Sequence, residues 1–156
     1  MQWQDEYLVG IDEIDEQHKG LFKAASHIIE ALQQRQKWFE VHSAMVKLLE
    51  TARIHFAVEE SLMRLCGYPG LHKHKEEHQS FADKLTGLQL ESLTEDVSFA
   101  MAAFIKRWLH EHIRTTDNAF AAFVLEVTGC SRQRDSRQRR KGRLLLSVPP
   151  NNNSCA

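Results

Sequence analysis

The sequence predicts an all-α protein, an antiparallel up-down-up-down four-helix bundle preceded by an extended N-terminal arm. Three observations carry that expectation. Four stretches place apolar residues at three- and four-residue intervals. Turn-forming breaks such as Gly67-Tyr68-Pro69-Gly70 separate them. No alternating strand pattern, internal repeat or glycine-rich phosphate loop competes. With 156 residues, 42% of them hydrophobic, the chain can build one domain with a real core but not two comfortable ones.

Residues 1 to 14 lack a sustained helical stripe, and Trp3, Tyr7, Leu8, Val9 and Ile11 read as an arm laid on an apolar surface, with Gly10 as a bend. The first helix is expected from about Asp15 to Gln36, with Leu21, Phe22, Ala25, Ile28, Ile29 and Leu32 on one stripe and acids at its positive N-terminal end. The second runs from about Phe39 to Leu65 through Met45, Leu48, Leu49, Ala52, Phe56, Leu62 and Met63, and the Pro-Gly turn stops it. A third, about Leu71 to Leu90, carries Phe81 and Leu85. Thr94 reads as the cap of a fourth, about thirty residues long, with Glu95 and Asp96 in its first turn, Phe104, Ile105, Trp108 and Leu109 on its stripe and Gly129 as its stop.

Composition changes after Gly129. Residues 130–156 hold seven basic residues (Arg132, Arg134, Arg137, Arg139, Arg140, Lys141 and Arg143) against Asp135, a net of +6. The body, residues 1–129, keeps 13 basic and 20 acidic residues, a net of −7. We read 130–156 as a disordered basic tail that could meet an acidic partner. No aromatic residue is interleaved with its arginines to stack on bases, and Leu144-Leu145-Leu146-Ser147-Val148 is too short to insert in a membrane, so no nucleic acid or membrane is expected of the bundle. Three cysteines without short spacing suggest neither a disulfide framework nor a thiolate zinc site, and the N-terminus lacks signal-peptide features, so the expected location is the cytoplasm.

Helical phase sorts the nine histidines. His55 and Glu59, like His74 and His78, stand four residues apart, about 40° apart around the helix axis and about 6 Å along it. His18 lies on the first apolar stripe and His112 on the fourth. His27, His42, His72 and His110 point away and are expected to be solvent-exposed without a metal role. A single stripe histidine is more commonly a neutral core imidazole bonded to a neighbour. Five of them with a glutamate in an apolar core are expensive to desolvate unless a metal ion pairs with them. Asp117, five residues after His112, falls about 140° off the ligand face on a regular helix. Either the helix is distended there by a π-bulge or Asp117 is a surface residue.

In order and spacing, His18, His55-x-x-x-Glu59, His74-x-x-x-His78 and His112-x-x-x-x-Asp117 resemble the hemerythrin family, specifically its single-domain bacterial members. The resemblance covers about Trp3 to Gly129 and extends to Gly10-Ile11-Asp12, Ile14-Asp15-Glu16-Gln17, the His55-Phe56 and Glu59-Glu60 pairs, Leu62-Met63 and Gly67-Tyr68-Pro69. It implies two non-haem iron ions with an oxo or hydroxo bridge. One would be held by His74, His78 and His112 and the other by His18 and His55, with Glu59 and Asp117 spanning both. The iron with two histidines would keep one position for dioxygen. By helical phase Phe22, Phe56, Leu62, Met63 and Trp108 lie on or beside the ligand faces and are expected to rim that position, the plainer reading being that they are simply core.

The function so implied is reversible dioxygen binding for storage, delivery or sensing, and not enzymatic turnover. The alternative is a di-iron enzyme acting on oxygen, peroxide or nitric oxide. Carboxylate-rich di-iron oxidases use Glu-x-x-His motifs, and no glutamate here has a histidine three residues on. A single tetrahedral zinc ion would need fewer than these seven ligands.

Overall fold

A computed structural model describes residues 1–129. The basic tail, 130–156, lies outside the described residues. The bundle consists of α1 (Asp12–Gln33), α2 (Trp38–Cys66), α3 (Leu71–Glu91) and a fourth rod built from α4 (Ser98–His112), a π-helical turn (Ile113–Asp117) and α5 (Asn118–Val127). No strand occurs among the described residues. α1 and α3 each pack on both α2 and α4, so short connections fold the four rods into an antiparallel square.

The arm carries a 3₁₀ turn at Asp5–Tyr7, and α1 begins at Asp12, earlier than the expected Asp15. The reason is that Asp15 turns inward. Its carboxylate accepts the Val9 N–H at 2.7 Å and the Gly10 N–H at 3.2 Å. Gly10 makes the bend at φ 93°, a conformation costly for any residue with a Cβ. Tyr7 and Val9 are buried, and the Trp3, Tyr7 and Phe22 rings cluster with centroids 4.5–5.7 Å apart. Asp15→Ala strands two backbone donors and is expected to destabilise the protein by about 2–3 kcal/mol, read as a lower urea midpoint with an unchanged m-value.

α2 ends where the turn residues require. Gly67 takes the left-handed conformation at φ 69°, and the Tyr68 N–H donates to the Met63 carbonyl at 2.9 Å, closing a Schellman motif. The start of α4 corrects the sequence reading. Thr94 does not cap it; its hydroxyl donates back to the Glu91 carbonyl, and the helix opens at Ser98, whose N–H is taken by the Asp96 carboxylate at 3.1 Å. An Asp two residues before a donor forms a local turn that competes with helix, so the acids stay in the loop.

The apolar core falls into two parts. The larger includes Phe22, Leu48, Phe56, Phe81, Leu85, Met101, Ile105 and Leu109; the smaller is Met63, Phe120 and Val124, with Leu62, Tyr68 and Leu71 against it. Along α2 the order is Phe56, Glu59, Met63; along α3 it is Leu71, His74 and His78, Phe81; along the fourth rod it is Leu109, His112 and Asp117, Phe120. A polar layer therefore lies between two apolar ones, toward the end of the bundle where α1 begins and α2 ends.

Candidate metal centre

Seven side chains make up that layer. His18, His55, Glu59, His74, His78, His112 and Asp117 are all at most 4% exposed. They form two overlapping groups whose donor atoms lie within 4.8 Å of one another: Glu59, His74, His78, His112 and Asp117 in one, and His18, His55, Glu59 and Asp117 in the other. The two carboxylates belong to both groups, while the histidines divide three and two.

The π-helical turn answers the open question about Asp117. Widening the turn over Ile113–Asp117 carries the carboxylate onto the face that His112 occupies, which a regular α-helix would not do. One Asp117 oxygen lies 3.1 Å from His18 Nε2, and the other lies 3.2 Å from His74 Nε2 and 3.1 Å from His112 Nε2. Glu59 places one oxygen 3.5, 3.2 and 3.4 Å from the Nε2 atoms of His55, His74 and His78.

These distances suit hydrogen bonds, but the directions do not. None of the five Nε2 atoms and none of the four carboxylate oxygens has a hydrogen-bond partner of acceptable geometry, though all are buried. Each such atom left unsatisfied costs about 1–3 kcal/mol, so a layer of them is unaffordable as packing alone. Imidazole nitrogens and carboxylate oxygens that converge without bonding one another are a donor set for cations. The residues present therefore fit a metal.

Titration follows from burial and from this crowding. Burial first, then the neighbouring His18 charge, pushes His55 down to about 3; burial and His112 push His78 down to about 2. Burial, reinforced by the Asp117 carboxylate, pushes Glu59 up to about 8. For His74 burial works downward, but the close Asp117 and Glu59 oxygens outweigh it and raise the ring to about 9. Asp117 lies well below the usual carboxylate range: its burial acts upward and is overcome by His112 and by polar contacts from His18 and His74.

Three outer partners were not singled out by the helical pattern. The His55 Nδ1–H donates to Gln17 Oε1 at 3.3 Å, the His78 Nδ1–H to Glu60 at 3.2 Å, and the His112 Nδ1–H to Glu77 at 3.0 Å. They share a logic. Gln17, Glu60 and Glu77 each stand next in sequence to a member of the donor layer on their own helix, and each supports a histidine on the following one. Adjacency to His18, Glu59 and His78 was the available signal, but which ring each would meet depends on the register between helices.

Of the expected rim residues, Phe56 stacks on His78 with centroids 3.8 Å apart and Trp108 on His112 at 4.2 Å. Phe22 packs with Trp3 and Tyr7, and Met63 and Leu62 belong to the smaller apolar cluster. A cleft of about 520 Å³, lined by Tyr68, Lys73, Glu77, Trp108, Glu111 and Thr116 among others, reaches His74 and His112 from solvent. His27, His72 and His110 are exposed as expected. His42 departs from expectation: it is half-buried, stacked on Trp38 and bonded to Gln89 at 2.7 Å, a structural role.

Fold and site together define a four-helix bundle with a buried histidine–carboxylate cluster that could hold a metal ion. A family model described as the hemerythrin HHE cation binding domain matches residues 9–124, and the chain belongs to the hemerythrin family. It is 34% identical to a bacteriohemerythrin of Stenotrophomonas maltophilia over 76% of this chain and 78% of that protein. It is 33% identical to a bacteriohemerythrin of Clostridium acetobutylicum (76% and 96%) and 34% identical to a myohemerythrin of Theromyzon tessulatum (74% and 87%). A solved crystal structure of a mutant protein shares the fold with a TM-score of 0.72 at 22% identity, covering 80% of this chain and 96% of that one. Among the described residues no helix is long and apolar enough to cross a membrane.

Proposed function

We propose that the protein binds dioxygen reversibly at a non-haem di-iron centre and serves in the cytoplasm as an oxygen store, carrier or sensor, without catalytic turnover. The observation that carries this reading is the division of one donor layer into two groups that share Glu59 and Asp117 but have unequal numbers of histidines. His74, His78 and His112 would hold one iron ion, His18 and His55 the other, and the two carboxylates would hold both. When bound, a ferrous pair supplies two electrons and an open coordination position for dioxygen.

The chain's own residues supply the rest. Five imidazoles and two carboxylates would offset half of the four positive charges of a ferrous pair, which lowers the cost of holding it in a buried core. Phe56 and Trp108, stacked on His78 and His112, hold those two rings in place. Helical backbone on all four rods fixes the donors before any ion arrives, so little ordering cost remains at binding.

Anaerobic loading with ferrous iron is expected to give about two irons per chain and a nearly colourless protein that colours in air and bleaches under vacuum. Colour that forms but does not bleach when oxygen is withdrawn would favour the di-iron enzyme instead.

A further inference from the structure

The support around the two groups is as unequal as the groups themselves. In the three-histidine group, two rings have a carboxylate on the far nitrogen, Glu60 on His78 and Glu77 on His112, while His74 Nδ1 has no hydrogen-bond partner. In the two-histidine group, His55 has only the neutral Gln17 amide, at 3.3 Å, and His18 Nδ1 has no hydrogen-bond partner. Both carboxylates are held in place. The Thr116 hydroxyl donates to the same Glu77 oxygen at 2.8 Å, and Lys75 and Arg64 lie 3.5 and 3.9 Å from Glu60. Side-chain exposure of 31% for Glu77 and 17% for Glu60 leaves each partly shielded from solvent.

A carboxylate accepting the distal N–H draws the imidazole toward imidazolate, fixes the tautomer with its free lone pair on Nε2, and makes that nitrogen a stronger donor to a cation. A neutral amide oxygen fixes the tautomer but adds little electron density. Removing such outer partners typically costs about 10–100-fold in metal affinity.

We propose that the three-histidine position is the tight one, filled first by a divalent metal ion, and that Glu60 and Glu77 make it so as positioning residues acting through His78 and His112. The two-histidine position is then the labile one, filled second and emptied first by a chelator. This rests on the metal centre proposed above. Glu60 and Glu77 touch no ion themselves; they set the strength and direction of the rings that do.

The test is an anaerobic titration of the metal-free full chain with cobalt(II), followed by visible absorption and by the paramagnetically shifted, exchangeable imidazole N–H resonances. Two steps are expected, with the resonances of His74, His78 and His112 shifting in the first and those of His18 and His55 in the second. Glu60→Gln and Glu77→Gln should each weaken the first step by about 10-fold or more. The second step should stay within about threefold. Gln17→Glu should tighten the second step by about 10-fold. Circular dichroism of the metal-free variants reports folding, and if a glutamate variant does not fold, Gln17→Glu decides. Equal weakening of both steps by the glutamate variants, no weakening, or no tightening with Gln17→Glu overturns the proposal. A wild-type chain that takes up two equivalents without order overturns it as well, while one that takes up no cobalt refutes the metal centre itself.

Discussion

Glu59→Gln is expected to empty the centre while leaving the metal-free bundle nearly as stable as the wild type. Burial and Asp117 hold Glu59 up to about 8, so at pH 7 the metal-free protein already carries a neutral carboxyl there, and glutamine reproduces its shape and charge. The cation, however, needs the anion. Because Glu59 belongs to both donor groups, its loss should weaken both positions, by at least about 100-fold, a larger effect than removing an outer partner. At a metal concentration about 1,000 times the wild-type Kd, binding stabilises the wild type by about 4 kcal/mol, and a 100-fold loss leaves only about 1.4 kcal/mol. Melting both proteins with and without metal checks this. A variant with full metal content would remove Glu59 from the ligand set.

Metal affinity is also expected to depend steeply on pH, with a sign set by two groups. In the metal-free protein His74, raised to about 9, and Glu59, raised to about 8, both keep their protons at neutral pH, whereas His55 and His78, at about 3 and about 2, are already free. A cation must displace the first two protons and neither of the others. Affinity therefore rises with pH through the neutral range, because a bound cation takes the place of the protons that His74 and Glu59 hold there. Calorimetry in buffers of different protonation enthalpy should show protons released on binding near pH 7, and fewer of them as the pH rises above the His74 and Glu59 values. A release independent of pH would mean that the protons of His74 and Glu59 are not the ones displaced.

Much of this architecture was legible because helical period and burial are the same fact seen twice. His18, His55, Glu59, His74, His78 and His112 sit on apolar stripes, and a stripe must face the core, so the pattern that predicted the helices also aimed these side chains inward. Asp117 was legible only through family resemblance, since regular helical phase turns it away; its placement depends on a turn geometry that no local propensity announces. Gln17 and Glu60 entered only as part of the resemblance, without a role, and Glu77 not at all, for a different reason. Each is partly exposed and looks like an ordinary solvated residue, and its partner lies on another helix, so only the packed register reveals the contact. The start of α4 was misplaced because Thr94, Glu95 and Asp96 all suit a helix N-terminus, and the competition among them is settled by which backbone donor the Asp96 side chain reaches.

The π-helical turn also decides where this chain can change length. Losing one residue from a regular part of α4 would swing everything beyond it by about 100°, dragging Phe120, Ala121 and Val124 out of the core. Within Ile113–Thr116 the same loss merely converts a wide turn into an ordinary one, and the apolar residues downstream keep their facing. The bulge is thus a spare slot in the helix's own reading frame: without its extra residue Asp117 would stand four residues after His112, the spacing of His55 and Glu59, and an ordinary helix would keep it on the same face.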